Sequence, residues 1–367
     1  MIDMKSTILT DYAATDVLIM PPHYSGYCAC NTALVWWGGE FLFQTRYVSY
    51  MKHYTSKLFN PYGFALNQNY VFDKEYFNSL NVRYTIDKCD VVDYGDRLPV
   101  MYRGLEDPRF VIWDDKLYVY GSRADVIKGK TCICIYSEDG EIIARSPFFF
   151  NKNIEKNWMA IPDKPFHFIY GYIQYDYVQN GFVEVQVEND RTKFVKIHPV
   201  DLDGEIRGST PLVKTDFGYM TIVHKPIYKN DGFEYRHAFV LFDNDLNFIK
   251  TSNWFVFHNN ICEFCCGMSI VDDIVYITYS QLDAVVSIMS IPMQDLMQFI
   301  DKSTGAGWSF DMEYYTKMQK SLFDSEHIES AKIVSNYILT QTYDPKSLQL
   351  YMNTISTDDF LKIKYNY

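Results

Sequence analysis

The octapeptide Arg103-Gly104-Leu105-Glu106-Asp107-Pro108-Arg109-Phe110 packs two carboxylates, two guanidinium groups, a glycine and a proline into one turn-like stretch. An arginine beside a carboxylate keeps it ionised, whereas a second carboxylate, if buried, is pushed toward its protonated form. Two carboxyls with separated pKa values are the tools of general acid–base chemistry. Pro108 fixes its own φ and biases Asp107 toward extended backbone, so a rigid Asp107 is expected. The same residues also suit an arginine–carboxylate clasp at the entry to a strand. The elements around the motif have to separate the two readings.

Most of the chain reads as short strands divided by turns. Residues 33–43 form two apolar runs around Gly38-Gly39, a hairpin signal. Residues 110–120 repeat the plan around Asp114-Asp115, residues 211–224 around Asp216-Phe217-Gly218, and residues 269–279 around Asp272-Asp273. Further strands are expected over 131–136, 166–177, 182–187 and 236–242. One supersecondary unit recurring at roughly 45–60 residues predicts an all-β fold, a five-bladed β-propeller, with a weaker fifth copy near Phe166. Residues 52–100, rich in Tyr and Asn, read as an insertion between the first two blades. After Pro292 the pattern changes: Met293, Leu296, Met297 and Ile300 fall at helical spacing. The expected organisation is a propeller over 1–300 and a helical C-terminal appendage over 301–367, packed on it.

The residues able to do chemistry sit at the same place in each unit. Asn31 precedes the first hairpin and Arg46 ends its second strand. Glu106-Asp107-Pro108-Arg109 opens the second unit, and Glu155-Lys156-Asn157-Trp158 the third. Arg207-Gly208-Ser209-Thr210-Pro211 opens the fourth, whose second strand ends at His224. Glu263 opens the fifth, whose second strand leads to Asp283. The innermost strand of a propeller blade begins near the central channel, so these groups should converge on one polar pocket.

Composition narrows the class of partner. Hydrophobic residues make up 48% and charged residues 22%, as in globular domains. A net charge of −12 argues against nucleic-acid binding, which draws its affinity from a basic surface. Aromatic residues reach 17%, with 31 Tyr and 26 Phe, rings that suit sheet packing and also the faces of sugars. No stretch has the roughly 18 apolar residues of a membrane span, and the N-terminus lacks a secretion-signal pattern. With eight cysteines in strand-like contexts and no signal, reduced thiols and a cytoplasmic location are expected. Cys262-Glu263-Phe264-Cys265 is a lone CxxC without a second ligand pair, so neither a metal site nor a cofactor is expected.

The order of these motifs resembles the five-bladed propeller β-mannoside phosphorylases and hydrolases, glycoside hydrolase family 130. The resemblance covers roughly residues 28–300. It implies that Asp107 is the proton donor to the glycosidic oxygen and that Asn31, Arg46, Glu106, Arg109 and Asp283 face the sugar. It implies a phosphate site made by Lys156, Asn157 and His224. The family's phosphate-binding arginine, one strand after the acid motif, is replaced here by Lys130 or Thr131, with Arg123 nearby. That departure bears directly on phosphorolysis. Segments such as Arg207-Gly208-Ser209-Thr210-Pro211 and Tyr235-Arg236-His237-Ala238-Phe239 look like a propeller branch found beside bacterial glycosyltransferases, and related propellers transfer mannose from a nucleotide sugar.

Inverting glycosyl transfer needs one group to handle the proton on the bridging oxygen and a nucleophile on the opposite face. Water as nucleophile requires a second carboxylate about 6.5–9.5 Å away, whereas phosphate needs only cationic anchors. Lys156 and His224, with Arg123 or Lys130, are such anchors, and they fit phosphate, a sugar phosphate or the diphosphate of a nucleotide sugar. The expectation is an inverting glycosyltransferase or glycoside phosphorylase acting on mannose or a related hexose. The alternatives are a β-mannoside hydrolase and a non-catalytic carbohydrate-binding propeller.

Overall fold

The computed structural model describes residues 7–9, 13, 15–18, 28–48, 51–52, 58–59, 79–84, 89–92, 105–125, 130–146, 155–175, 179–199, 202, 206–229, 232–257, 262–281, 283 and 285–303 of the 367-residue chain. These residues are almost entirely β-strand, arranged as consecutive antiparallel sheets in the manner of a propeller, followed by one helix. Four of the sheets have four strands. The first contains Cys28–Trp37, Glu40–Val48, Ser79–Tyr84 and Cys89–Val92. The second contains Glu106–Trp113, Lys116–Asp125, Lys130–Ser137 and Ile142–Ser146. The third contains Met159–Ala160, His167–Tyr175, Gln179–Glu188 and Arg191–Pro199.

The fourth sheet is larger, with seven strands centred on the hairpin Gly218–Lys229 and Gly232–Phe242. Its inner edge is the short strand Arg207–Gly208, and Thr7–Ile8 adds in parallel to Phe255–Val256 at the other edge. The last sheet runs Glu263–Val271, Ile274–Gln281 and Val285–Pro292, and Thr15–Leu18 supplies its outermost strand. Thr15–Leu18 thus pairs with Val285–Pro292, joining two stretches far apart in sequence in one sheet.

Local chemistry explains the hairpins. Gly38-Gly39, Asp114-Asp115, Asn189-Asp190 and Asp272-Asp273 all have positive φ at both positions, as two-residue turns between twisted strands require. Gly, Asn and Asp tolerate that region better than other residues. Each sheet is covered on both faces by its neighbours. Val111, Trp113 and Ile135 of the second sheet pack on Trp158, Phe168 and Val185 of the third. Ile169 and Phe182 meet Val223 and Val240, and Ile222 and Phe239 meet Val275 and Ile277. Ala33 and Leu42 meet Phe110 and Val119. The last sheet returns to the first through the Thr278 hydroxyl, which donates to the Thr32 carbonyl at 2.5 Å, and through edge contact of Phe41 with Tyr276.

The helix expected after Pro292 is present at Met293–Lys302. It buries Leu296, Phe299 and Ile300 against the core shared by the last two sheets. Asp295 in its first turn and Lys302 in its last complement its dipole. The appendage expected over 301–367 lies outside the described residues beyond Ser303. The 52–100 segment is not wholly an insertion: Ser79–Tyr84 pairs with Glu40–Val48 and Cys89–Val92 with Ser79–Tyr84, completing the first sheet. No helix among the described residues is long and apolar enough to cross a membrane.

Candidate active site

Three of the innermost strands break register at a chemically interesting residue. The pairing of the first sheet steps from Cys30–Arg46 to Thr32–Thr45, leaving Asn31 as the extra residue. In the second it steps from Glu106–Ser122 to Arg109–Tyr120, so Asp107 and Pro108 together oppose Gly121. In the last it steps past Cys266. Such bulges re-aim side chains out of the regular alternation. Gly121 is needed there, because a Cβ would sit 2.7 Å from the Glu106 carbonyl oxygen.

The backbone of Asp107 departs from the expectation. It is not extended: its φ is +51°, in the left-handed region, as are those of Asn31 (+45°), Asn157 (+64°) and Asp283 (+51°). The bias imposed by Pro108 is overridden because the bulge demands a sharp turn, which Asp accommodates better than most residues. Arg109 secures it by donating from Nη1 to the Asp107 carbonyl at 2.7 Å.

Side chains from or beside the five larger sheets meet here. Asn31 Nδ2 donates to Asp107 Oδ1 at 2.7 Å, and Arg46 Nη1 lies 3.4 Å from the same oxygen and 3.8 Å from Glu106 Oε1. The Ser280 hydroxyl of the last sheet donates to Asn31 Oδ1 at 2.6 Å, fixing which end of the Asn31 amide faces Asp107. Arg109 is fully buried and reaches the next two sheets. Its Nε donates to the Ser209 carbonyl at 2.5 Å and its Nη2 to Asn157 Oδ1 at 3.4 Å. Arg109 thus directs its guanidinium at protein acceptors from three segments. The side chains of Asn31, Arg46, Asp107, Arg109 and Asn157 form one connected cluster.

Burial alone would raise the Asp107 carboxyl, but Arg46, Arg109 and Lys156 and the Asn31 hydrogen bond outweigh it and hold it below the usual range. Asp107 is therefore ionised at neutral pH without a ligand. Lys156 is half-buried, in the segment Glu155–Trp158 that is anchored to the second sheet. The Glu155 amide donates to Thr131 Oγ1 at 2.9 Å, its carbonyl accepts from Ser122 Oγ at 2.8 Å, and its carboxylate accepts from Trp158 Nε1 at 3.3 Å.

His224 is fully buried, paired through Nδ1 with the Ser209 hydroxyl at 2.8 Å, and packed edge-on against Tyr235 and Phe264. Its Nε2 has no hydrogen-bond partner among the described residues. Burial, with His237, Arg207, Arg109 and Lys156 around it, drives its pKa well below the usual value, so the imidazole is neutral. In the tautomer in which the Ser209 hydroxyl donates to Nδ1, Nε2 carries the proton and is a buried donor.

Asp283 is buried just after the strand that carries Ser280. Arg123 donates to the Tyr136 hydroxyl of its own sheet at 2.8 Å. Lys130 starts the strand Lys130–Ser137. Sequence reasoning gave no site role to Ser209, Ser280 or Cys266. Cys266 is buried, its thiol pushed far up by burial while also feeling the charges of Arg109, Asp107 and Arg46. The register break that exposes its importance leaves no trace in residue type. The six cysteines with described side chains are all free thiols.

A β-propeller with a buried, cation-flanked carboxylate where its inner strands meet is the class of molecule this fold and site define. Among solved structures it is similar to one from glycoside hydrolase family 130 of mannoside phosphorylases, described as containing hydrolases that target β-1,2 mannosidic linkages in Candida mannan. The TM-score is 0.53 at 14% identity, covering 82% of this chain and 99% of that one. A glycosyl hydrolase from Bacteroides ovatus gives a TM-score of 0.50 at 14% identity, covering 77% and 87%. A hypothetical protein from Leishmania major gives the same score and identity, covering 77% and 91%. No family model and no curated protein matches the sequence. The resemblance to family 130 first read from the order of motifs is thus met again in the fold.

Proposed function

We propose that this chain is a carbohydrate-active enzyme that transfers a glycosyl group with inversion, using phosphate, a sugar phosphate or a nucleotide sugar, with mannose or a related hexose as the sugar. The observation that carries the reading is the pairing of an ionised, backbone-strained Asp107 with an adjacent group of cations and a neutral His224 whose Nε2 has no partner. In this reading the seven-stranded sheet is the fourth of five blades, and residues 1–300 form the catalytic domain.

Asp107 manages the proton. In synthesis its carboxylate accepts the proton of the acceptor hydroxyl as that oxygen attacks the anomeric carbon and the donor's phosphate leaves. In phosphorolysis it is protonated first and delivers that proton to the glycosidic oxygen as the carbon–oxygen bond breaks and a phosphate oxygen bonds to the anomeric carbon. Lys156, with Asn157 beside it, and His224 hold the phosphoryl group. An anion there offsets the positive charge that holds Asp107 ionised and so favours the protonated form that phosphorolysis needs. Asn31, Arg46, Glu106 and Asp283 face the sugar, and Arg109 sets the backbone of Asp107.

The test is calorimetric titration of mannose 1-phosphate and GDP-mannose, coupled to turnover assays in phosphate-containing and phosphate-free buffer. Binding of at least one ligand and turnover that requires a phosphate-bearing partner are expected. Release of free sugar from a β-mannoside in phosphate-free buffer would replace the reading with hydrolysis. Failure of both ligands to bind would remove the anion site.

A further inference from the structure

We infer that Arg207 is the third arm of the anion site, closing with Lys156 and His224 on a single phosphoryl group. The inference rests on the anion-dependent reading above and gives a role to Arg207, which the motif order placed at the start of the fourth unit but which was not among the expected phosphate-binding residues.

Arg207 and His224 are direct partners across the antiparallel pair formed by Arg207–Gly208 and Gly218–Lys229. Residues directly opposite in such a pair put their side chains on the same face of the sheet, a few ångströms apart. Arg207 therefore lies on the face that carries His224, whose Nε2 is buried without a partner. The next residue explains how a second cation joins them. A Cβ on Gly208 would run into the Asn157 carbonyl oxygen and the Met159 side chain. Only a glycine lets the strand of Arg207 pass in backbone contact with Lys156-Asn157. The fourth sheet's inner edge is thus pressed against the segment bearing Lys156, and the Ser209 carbonyl is pinned by Arg109 on its other side.

Charge agrees with this placement. Arg207, Arg109 and Lys156 all act on the His224 imidazole. Arg109 is fully buried and bonded to the Asp107 carbonyl, the Ser209 carbonyl and Asn157, whereas Lys156 and Arg207 are half-buried. Two cations plus one neutral N–H donor match the dianion of a phosphate or phosphate monoester. A guanidinium adds a two-pronged contact to the point charge of the lysine. Inorganic phosphate, a sugar 1-phosphate and the diphosphate of a nucleotide sugar share this chemistry.

Titration of inorganic phosphate, mannose 1-phosphate and GDP-mannose into wild type, Arg207→Ala, Arg207→Lys and Lys156→Ala separates the sources and tests the residue. Arg207→Ala should weaken the ligand that binds wild type by about 10–100-fold, and Arg207→Lys by less, since it keeps the charge and loses the fork. A wild type that binds only GDP-mannose would assign the group as a diphosphate. If Arg207→Ala binds within about twofold of wild type while Lys156→Ala has lost the ligand, Arg207 is outside the site and the anion reading stands. If wild type binds none of the three, both fall. Phenylglyoxal labelling of unmutated protein, read by peptide mass spectrometry, removes any dependence on folding of the variants. Saturating ligand should slow modification at Arg207, and an unchanged rate there would overturn the inference.

Discussion

Asp107 and Glu184 are both buried carboxylates held ionised against burial, yet they are built on opposite plans. Burial pushes Glu184 up, but His198 Nε2 at 2.9 Å, His167 Nδ1 at 2.9 Å and Lys164 Nζ at 3.2 Å bring its pKa down to about 2. Every one of these partners belongs to the third sheet or its own connection, and both carboxylate oxygens are used. Glu184 lies beside register shifts in its pairing with both neighbouring strands, but its own backbone is not left-handed. Asp107 instead takes its partners from neighbouring sheets, sits on left-handed backbone, and neighbours a histidine with an unused nitrogen. A buried charge satisfied within one sheet holds that sheet together. One satisfied across several sheets, with strained backbone beside it, marks a candidate functional site.

The largest expected effect breaks this comparison in function. Asp107→Asn keeps the shape and the hydrogen bond from Asn31 but cannot exchange a proton, so turnover should fall at least ~100-fold while cooperative unfolding persists. Glu184→Gln should do the reverse and leave turnover within about twofold. Activity within threefold of wild type in Asp107→Asn would move the proton role to another carboxylate, Glu106 first.

Next in size is anion binding. A charge-assisted hydrogen bond contributes roughly 1.5–3 kcal/mol, so Lys156→Ala and His224→Ala should each weaken the phosphate-bearing ligand by about 10–100-fold. Uncharged sugar, held by the Asn31 side of the pocket, should bind nearly as before. Calorimetry on both ligands decides it, and equal losses for the two would mean general disruption of the site.

How much of this was legible in the sequence follows from what each feature depends on. Hairpins at Gly38-Gly39, Asp114-Asp115 and Asp272-Asp273 were readable because turn chemistry is local. The helix at Met293–Lys302 was readable because its apolar spacing is. The motif starts were readable as a repeated position in repeated units. Register was not. The bulges at Asn31, Asp107 and Cys266 arise from pairing between strands far apart in sequence, and they reversed the expected backbone of Asp107. Ser280 and Ser209 look like any strand-end serine until the sheets bring them to Asn31 and His224. The outer strands within 52–100 and the closing strand Thr15–Leu18 were hidden because short edge strands have little apolar alternation.

The third effect is on stability alone. Glu184→Gln retains one acceptor but loses the charge that His198, His167 and Lys164 share, and loss of a charge-assisted bond should lower unfolding free energy by roughly 1.5–3 kcal/mol. Urea denaturation at neutral pH measures it. A variant as stable as wild type would mean that the Glu184 cluster contributes through packing, and the contrast with Asp107 would lose its structural half.

The smallest effect vanishes at neutral pH and emerges only in acid, where the two regions should separate by window. His237 is buried against Phe255 and Phe257, its ring nitrogens are without partners, and burial with Arg236 brings its pKa down to about 3. Because the folded state resists protonation more than the unfolded chain, His237 contributes stability that is complete above the ordinary histidine value near 6.5. That contribution is lost as pH falls from there toward about 3. His224, lowered by the same cause, acts in the same direction. Glu184 has the same sign in a lower window: its contribution is complete above about 4.5 and fades toward about 2. Stability should therefore begin to fall just below pH 6.5 through the histidines of the seven-stranded sheet, and steepen below pH 4.5 through the third sheet. His237→Phe, which removes a protonation site while keeping a ring among Phe255 and Phe257, should flatten the slope from pH 6.5 down to about 3 and keep the added steepening that Glu184 brings below pH 4.5. Thermal unfolding across that range in wild type and variant reads both slopes. An unaltered slope above pH 5 in the variant would show that the upper window belongs to other groups.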